Sequence, residues 1–278
     1  MWKKPKVLVN YNATRLTIMY KIFILAFFLI PQVNLNAQVF TITYFNAYES
    51  GIEAFENNQL NGYAVIAEQA IKNDELIGWY FFKKVNDSAV DSAEYLSIDI
   101  YESSEKLFQN SDWWSVTEEE SNLLNINWEE INEGELRGIK HETYQTYASL
   151  NRIADIKYTV FNFWNPSDSY AFLKEGEELF KPFFEKNMGE RGLVGWGEAS
   201  KLYSSYSDST TLADQPTVMT VDHFSNYRVA EMHQSGELWE TYDGTEEVWE
   251  STFFDFYVKN GWVSNDLYEL IGFVEAEY

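Results

Sequence analysis

The stretches "ELIGWYFFK" (residues 75–83) and "RGLVGWGEASK" (residues 191–201) nearly repeat each other, and they decide whether the chain holds one domain or the same domain twice. With Gly78-Trp79 laid on Gly195-Trp196 the offset is 117. Upstream, "TYFNAY" (43–48) falls on "TVFNFW" (159–164) at an offset of 116. Downstream, "YLSIDIYESS" (95–104) falls on "VMTVDHFSNY" (218–227), pairing Asp99 with Asp222 at an offset of 123. The larger jump falls across "SSYSDSTTLADQP" (204–216), a polar run suited to a surface loop. Offsets that drift only at loops are what duplication predicts.

Each half then reads in one order. "VFTITYF" from Val39 and "IKYTVFNFW" from Ile156 have the β-branched and aromatic content of strands. A helix follows. In the second half Ser167 or Asp168 can cap it, and Leu173, Phe180, Phe183, Phe184 and Met188 recur at helical spacing. Pro182 predicts a kink or a division there. In the first half Ile52, Phe55, Tyr63, Ile66 and Ile71 form the apolar stripe, weakened at Asn61-Gly62. Two strands, a helical region ("TEEESNLLNINWEEINEG" or "TEEVWESTFFDFYVKNG") and a closing strand complete each half. The pattern is β-α-β-β-α-β twice, an α+β fold of two ferredoxin-like repeats over residues 38–153 and 154–278. The strands carry large apolar groups on both sides. A sheet with one wet face would alternate cleanly, so both faces must be covered, and two sheets closing on each other as a barrel with helices outside would cover them.

On these blocks and this element order the chain resembles the dimeric α+β barrel superfamily, in a fused form in which one polypeptide supplies both sheets. It is also similar to exported proteins of Bacteroidetes-type bacteria. The resemblance implies small monooxygenases and haem-degrading or haem-binding proteins among its relatives. The haem-degrading members use an asparagine on the first strand, a tryptophan, and a histidine on the helix after the third strand. Asn162 or Asn46 matches the first position and His233 the last, with Trp239 placed after the histidine and not before it.

Residues 22–31, "IFILAFFLIP", follow Lys21 and four further upstream basic residues and precede "QVNLNAQ". This is a cleavable export leader with cleavage expected after Ala37, and the true start could be Met19. Its apolar core is shorter than the roughly 20 residues a membrane span needs. The expectation is a soluble bacterial protein, periplasmic or secreted. The chain of 278 residues has 20 Lys and Arg against 44 Asp and Glu, and five of the basic ones lie in the leader. Such a negative field repels phosphate backbones and anionic lipids, which excludes nucleic acid as a partner. With no cysteine there is no disulfide, thiolate zinc site or cysteine nucleophile. The three histidines lack metal-binding spacing and no metal is expected.

What remains are separate candidates. His233, Asn162 and Asn46 could carry acid–base chemistry, although asparagines near strand ends commonly bond the backbone. His223 suits a structural role unless it points into the barrel. Trp79 and Trp196 could pack beneath a helix or line a pocket, and Trp113-Trp114 could stack on sugars or a partner. The expected functions are, first, binding of a small apolar ligand or a protein without a cofactor. The alternatives are a cofactorless or haem-handling monooxygenase-like enzyme and a carbohydrate-binding module. A polar barrel interior holding Asn162 and His233 would favour chemistry; filled aromatic layers would favour the first. The assembly is expected to be an internal pseudo-dimer, alone or in homo-oligomers.

Overall fold

The non-alternating strands are explained by what covers them. In a computed structural model, which describes residues 38–47, 51–85, 93–124, 126, 136–189, 191–205, 216–259 and 262–276, eight strands close into one antiparallel barrel. The leader, the polar insert at 206–215 and the segment 127–135 lie outside the described residues. The strands are β1 (Val39–Ala47), β2 (Gly78–Lys84), β3 (Tyr95–Tyr101), β4 (Leu136–Leu150), β5 (Tyr158–Trp164), β6 (Leu193–Ser204), β7 (Val218–Phe224) and β8 (Trp262–Glu275). Their order around the barrel is β1-β3-β2-β8-β5-β7-β6-β4. Each repeat contributes a four-stranded sheet, 4-1-3-2 within the half. The edges join where β2 pairs β8 and β4 pairs β6, so neither sheet keeps a free edge. Among the described residues no helix is long and apolar enough to cross a membrane.

One strand face points into the barrel. Ile42, Phe82, Leu96, Tyr144, Phe161, Phe163, Met219 and Tyr268 form a single buried cluster that draws on strands of both repeats. These side chains leave part of the interior open, a cavity of about 620 Å³ whose lining includes Phe40, Phe82, Ile98, Phe161 and His223. Polar groups sit among them as well. Glu142 accepts hydrogen bonds from Tyr44 Oη (2.7 Å) and Tyr144 Oη (2.8 Å) and pairs with Lys140 and Lys201. Although burial opposes it, the two lysines hold its carboxyl down to about 2.

The other strand face carries the helices. In the first repeat these are α1 (Ile52–Asn58), a π turn (Gln59–Tyr63), α2 (Ala64–Lys72), α3 (Ser104–Gln109) and α4 (Glu118–Leu123). In the second they are α5 (Ser169–Glu175), a π turn (Gly176–Phe180), α6 (Lys181–Asn187), α7 (Tyr227–Gln234), α8 (Thr245–Ser251) and α9 (Phe254–Tyr257). Asp168 caps α5 by accepting from Ala171 N at 3.0 Å. The interruption expected at Pro182 appears as the π turn just before it, and the first repeat has its own π turn across Asn61-Gly62, offset by the same 117 residues as the Gly-Trp pairs. A wider turn accommodates a proline that cannot bond back to the preceding turn. The helix expected over 245–261 is two short pieces, α8 and α9, and its Phe253 and Phe256 are exposed.

The register corrects the alignment of the first strands. Trp79 pairs with Asp99 and Trp196 with Asp222, so the Gly-Trp and aspartate blocks correspond as expected. Asp99, however, pairs with Thr41 and Asp222 with Val160, which makes the β1-to-β5 offset 119 and not 116. A shift of three residues reverses the faces, because side chains alternate along a strand. Phe45 accordingly packs outward on Phe55, whereas Phe161 packs inward on Phe82 and Tyr268. The similar letters "FNA" and "FNF" misled the alignment, and the structural counterpart of Phe45 is Trp164.

Candidate functional site

In the second repeat, strand parity and helix phase aim four polar side chains at one place. Asn162 on β5, Asp222 on β7 and Glu198 on β6 all face the helices, Glu198 two residues from Trp196 and therefore on its side of the strand. Asn226 caps α7, accepting from Arg228 N (2.9 Å), and the helix then turns Ala230 and His233, one turn apart, into the core. The four converge on a cavity of about 340 Å³ between sheet and helices, walled by Phe180, Phe184, Trp196, Trp239, Trp249 and Phe254. This size and apolar lining suit a small organic molecule.

Asn162 Nδ2 donates to Asp222 Oδ2 at 2.8 Å, and His233 Nε2 lies 3.2 Å from the same oxygen. All three side chains are buried. With Nε2–H donating to the carboxylate, Nδ1 keeps the ring's lone pair, and the aspartate fixes the tautomer and would stabilise an imidazolium. Nδ1 has no partner among the described residues; neither do Asp222 Oδ1, Asn265 Oδ1 and both oxygens of Glu198, all on residues lining this cavity. Each such orphan costs about 1–3 kcal/mol, which a bound molecule offering partners recovers. Burial pushes the Glu198 carboxyl up to about 9, and the nearby Glu177 charge adds to this against a smaller opposing effect of Lys181.

The other candidates fall elsewhere. Asn46 Oδ1 accepts from Glu94 N at 2.8 Å, the strand-end role. His223 does face the barrel, beside a cavity of about 620 Å³, but it is bonded to Thr159 Oγ1 at 2.9 Å and burial lowers it to about 4, leaving it neutral. Trp79 is buried beneath the first repeat's helices, stacked with Phe81; Trp196 also packs beneath a helix, on Phe184, and lines the cavity. Trp113 is buried and donates from Nε1 to Asp99 Oδ2 at 3.4 Å, and its neighbour Trp114 is exposed, as adjacent positions that cannot share a face require. Asn162 and His233 do come together, but outside the barrel and beneath the helices, because Asn162 sits on the outward strand face and His233 on the helix face turned to it. Trp239, which follows the histidine in sequence, has its ring centre 5.5 Å from that of His233 and lines the cavity. One residue of the site, Glu198, is absent from the candidates read from the sequence. Glu198 could have been found from its parity with Trp196.

No protein-family model matches the chain, and no curated protein is similar to it in sequence. Among solved structures it is similar to a protein named as a monooxygenase from Lactobacillus acidophilus NCFM, with 10% identity, 87% of this chain and 100% of that chain covered, and a TM-score of 0.51. An anthrone oxidase-like protein aligns at 10% identity over 87% of this chain and 94% of that one, with a TM-score of 0.49. A chlorite dismutase from Candidatus Nitrospira defluvii aligns at 9% identity over 86% and 92%, with a TM-score of 0.46. At these identities the likeness shows the fold, and the chain has the dimeric α+β barrel architecture with both halves fused.

Haem, expected for this chain from the resemblance read in its sequence, is tested by the donor set. His233 could ligate iron. The lining also holds three carboxylates, Glu175, Asp222 and Glu198, and no lysine or arginine to meet the propionates. These residues do not fit an anionic macrocycle. Among the described residues no group of three or more histidine or acidic side chains is arranged to hold a metal ion.

Proposed function

We propose that this protein is a cofactor-independent, monooxygenase-like enzyme that takes a proton from a planar, largely apolar aromatic molecule bound in the second-repeat cavity. The observation that carries the reading is the buried Asn162–Asp222–His233 chain opening onto an aromatic-walled space. His233 Nδ1 accepts the proton. Asp222 stabilises the imidazolium, and Asn162 holds Asp222 in place. Packed aromatic walls exclude water and keep the resulting anion electron-rich. Such an anion can give its electrons directly to dioxygen. Converting an activated CH₂ to C=O consumes one O₂ and releases one water, so no external reductant is required.

Anthrone, a tricyclic ketone with an acidic CH₂, is a suitable probe. Under anaerobic conditions in D₂O the protein should speed exchange of that CH₂, followed by NMR. His233→Ala should lower the enhancement by about 10²–10⁴-fold, the usual worth of a general base. Exchange no faster than in buffer removes the proposal. A Soret shift on adding haemin that vanishes in His233→Ala would replace it with a haem-handling function.

A further inference from the structure

The first half of the site, the histidine and its carboxylate, accounts for removing a proton. It leaves Glu198 unused. This side chain is 2% exposed, lines the cavity, and neither of its oxygens has a hydrogen-bond partner among the described residues. No cation pairs with it there. Its carboxyl lies against Gly176 in the π turn, in the space a Cβ there would take, so a larger residue at 176 would displace the carboxyl from this position. Nor does the fold need an acid at this point. The aligned position in the first repeat is Phe81, which pairs with Ser97 as Glu198 pairs with Thr220 and packs against Tyr95 and Trp79. A carboxyl retained in an apolar place, unpaired, beside a base and an open cavity has its partner in what fills the cavity.

We infer that Glu198 is the group that recognises the substrate, donating a hydrogen bond to a carbonyl or phenolic oxygen on a polycyclic aromatic ketone or phenol while His233 faces the acidic proton. The inference rests on the aromatic-substrate reading above and adds the chemical class. Apolar surroundings keep such an acid neutral at neutral pH, and a neutral carboxylic acid can serve as a donor to an oxygen on which negative charge develops. An ionised carboxylate could only accept, and would repel the enolate or phenolate that His233 creates.

Anthrone binding, read by quenching of the cavity tryptophans, separates the outcomes. The wild-type protein should bind anthrone at neutral pH, Glu198→Leu should bind about tenfold more weakly, and Glu198→Gln, which keeps a donor, should recover most of the affinity. Wild-type affinity should fall as pH rises through about 9, and that of Glu198→Gln should not. Unchanged affinity in Glu198→Leu overturns the role of Glu198 and leaves the aromatic site standing. Failure of the wild-type protein to bind anthrone removes both. Preference for benzylammonium over anthrone, lost in Glu198→Leu, would make Glu198 an ionised counter-ion and overturn the donor role.

Discussion

The first and second repeats share a scaffold and differ in what they do with the space beneath their helices. Both have a Gly-Trp strand entry, a π turn at the same offset, and an aspartate opposite the tryptophan, the half-buried Asp99 or the buried Asp222. In the first repeat Trp113 Nε1 and Thr41 Oγ1 (3.1 Å) donate to Asp99, and Phe55, Phe81, Tyr95 and Trp113 fill the volume. Counting from the aligned aspartates and from the helix starts Ser104 and Tyr227, Trp113 corresponds to Gly236, Phe81 to Glu198 and Asn110 to His233. Gly236 adopts φ +89, with open space around the point where a Cβ would lie. Three exchanges thus turn a packed core into a lined cavity. In one copy aromatic side chains fill the volume; in the other they wall a cavity.

The largest way to break this contrast is at the histidine. His233→Ala should remove about 10²–10⁴ of the proton-exchange enhancement, while Asn110→Ala, at the same place in the first repeat, should change it by less than about twofold. Next comes the crossed exchange at the strand. Phe81→Glu buries an unpaired carboxyl in a filled cluster and should cost about 3–5 kcal/mol or more by denaturant unfolding. Glu198→Phe should cost little or raise stability, and should abolish anthrone binding by filling the cavity.

The same exchange has a pH signature. The folded-state values of Glu198 and Asp99 lie above their unfolded ones, at about 9 and about 6, so folding favours their neutral forms. Their contribution is whole below about 4 and is lost as pH rises, for Asp99 by about 6 and for Glu198 by about 9. Thermal midpoints should therefore fall between pH 6 and 9 in the wild-type protein and flatten in Glu198→Gln; an equal fall in both would show that another group carries it. The smallest effect is at Trp113→Phe, which removes one donor from Asp99 and keeps most of the ring. It should cost about 0.5–1.5 kcal/mol and leave the second cavity's ligand affinity unchanged.

Much of this was legible in the residues. Gly78-Trp79 against Gly195-Trp196, and Asp99 against Asp222, located the repeat because glycine at a strand entry and an acid opposite the tryptophan are costly to lose. Apolar groups on both strand faces foretold a covered sheet, and His233 was found by its place after the third strand. The β1-to-β5 register was not legible, because "TYFNAY" and "TVFNFW" look alike three residues out of phase, and parity is set by pairing with β3 and β7. The side of the sheet that Asn162 faces was not legible for the same reason, since its parity depends on that register.

By itself the sequence determined the β-α-β-β-α-β order twice over, the absence of thiol chemistry and the acidic field, since periodicity, composition and charge are local properties of the chain. Only the tertiary structure decided that Asn162, Glu198, Asp222 and His233, spread over 72 positions of sequence, share one cavity while Phe81 and Trp113 close its twin. The reason is that a cavity is a difference in packed volume between elements distant in the chain, and that difference is fixed by strand register and helix phase acting together.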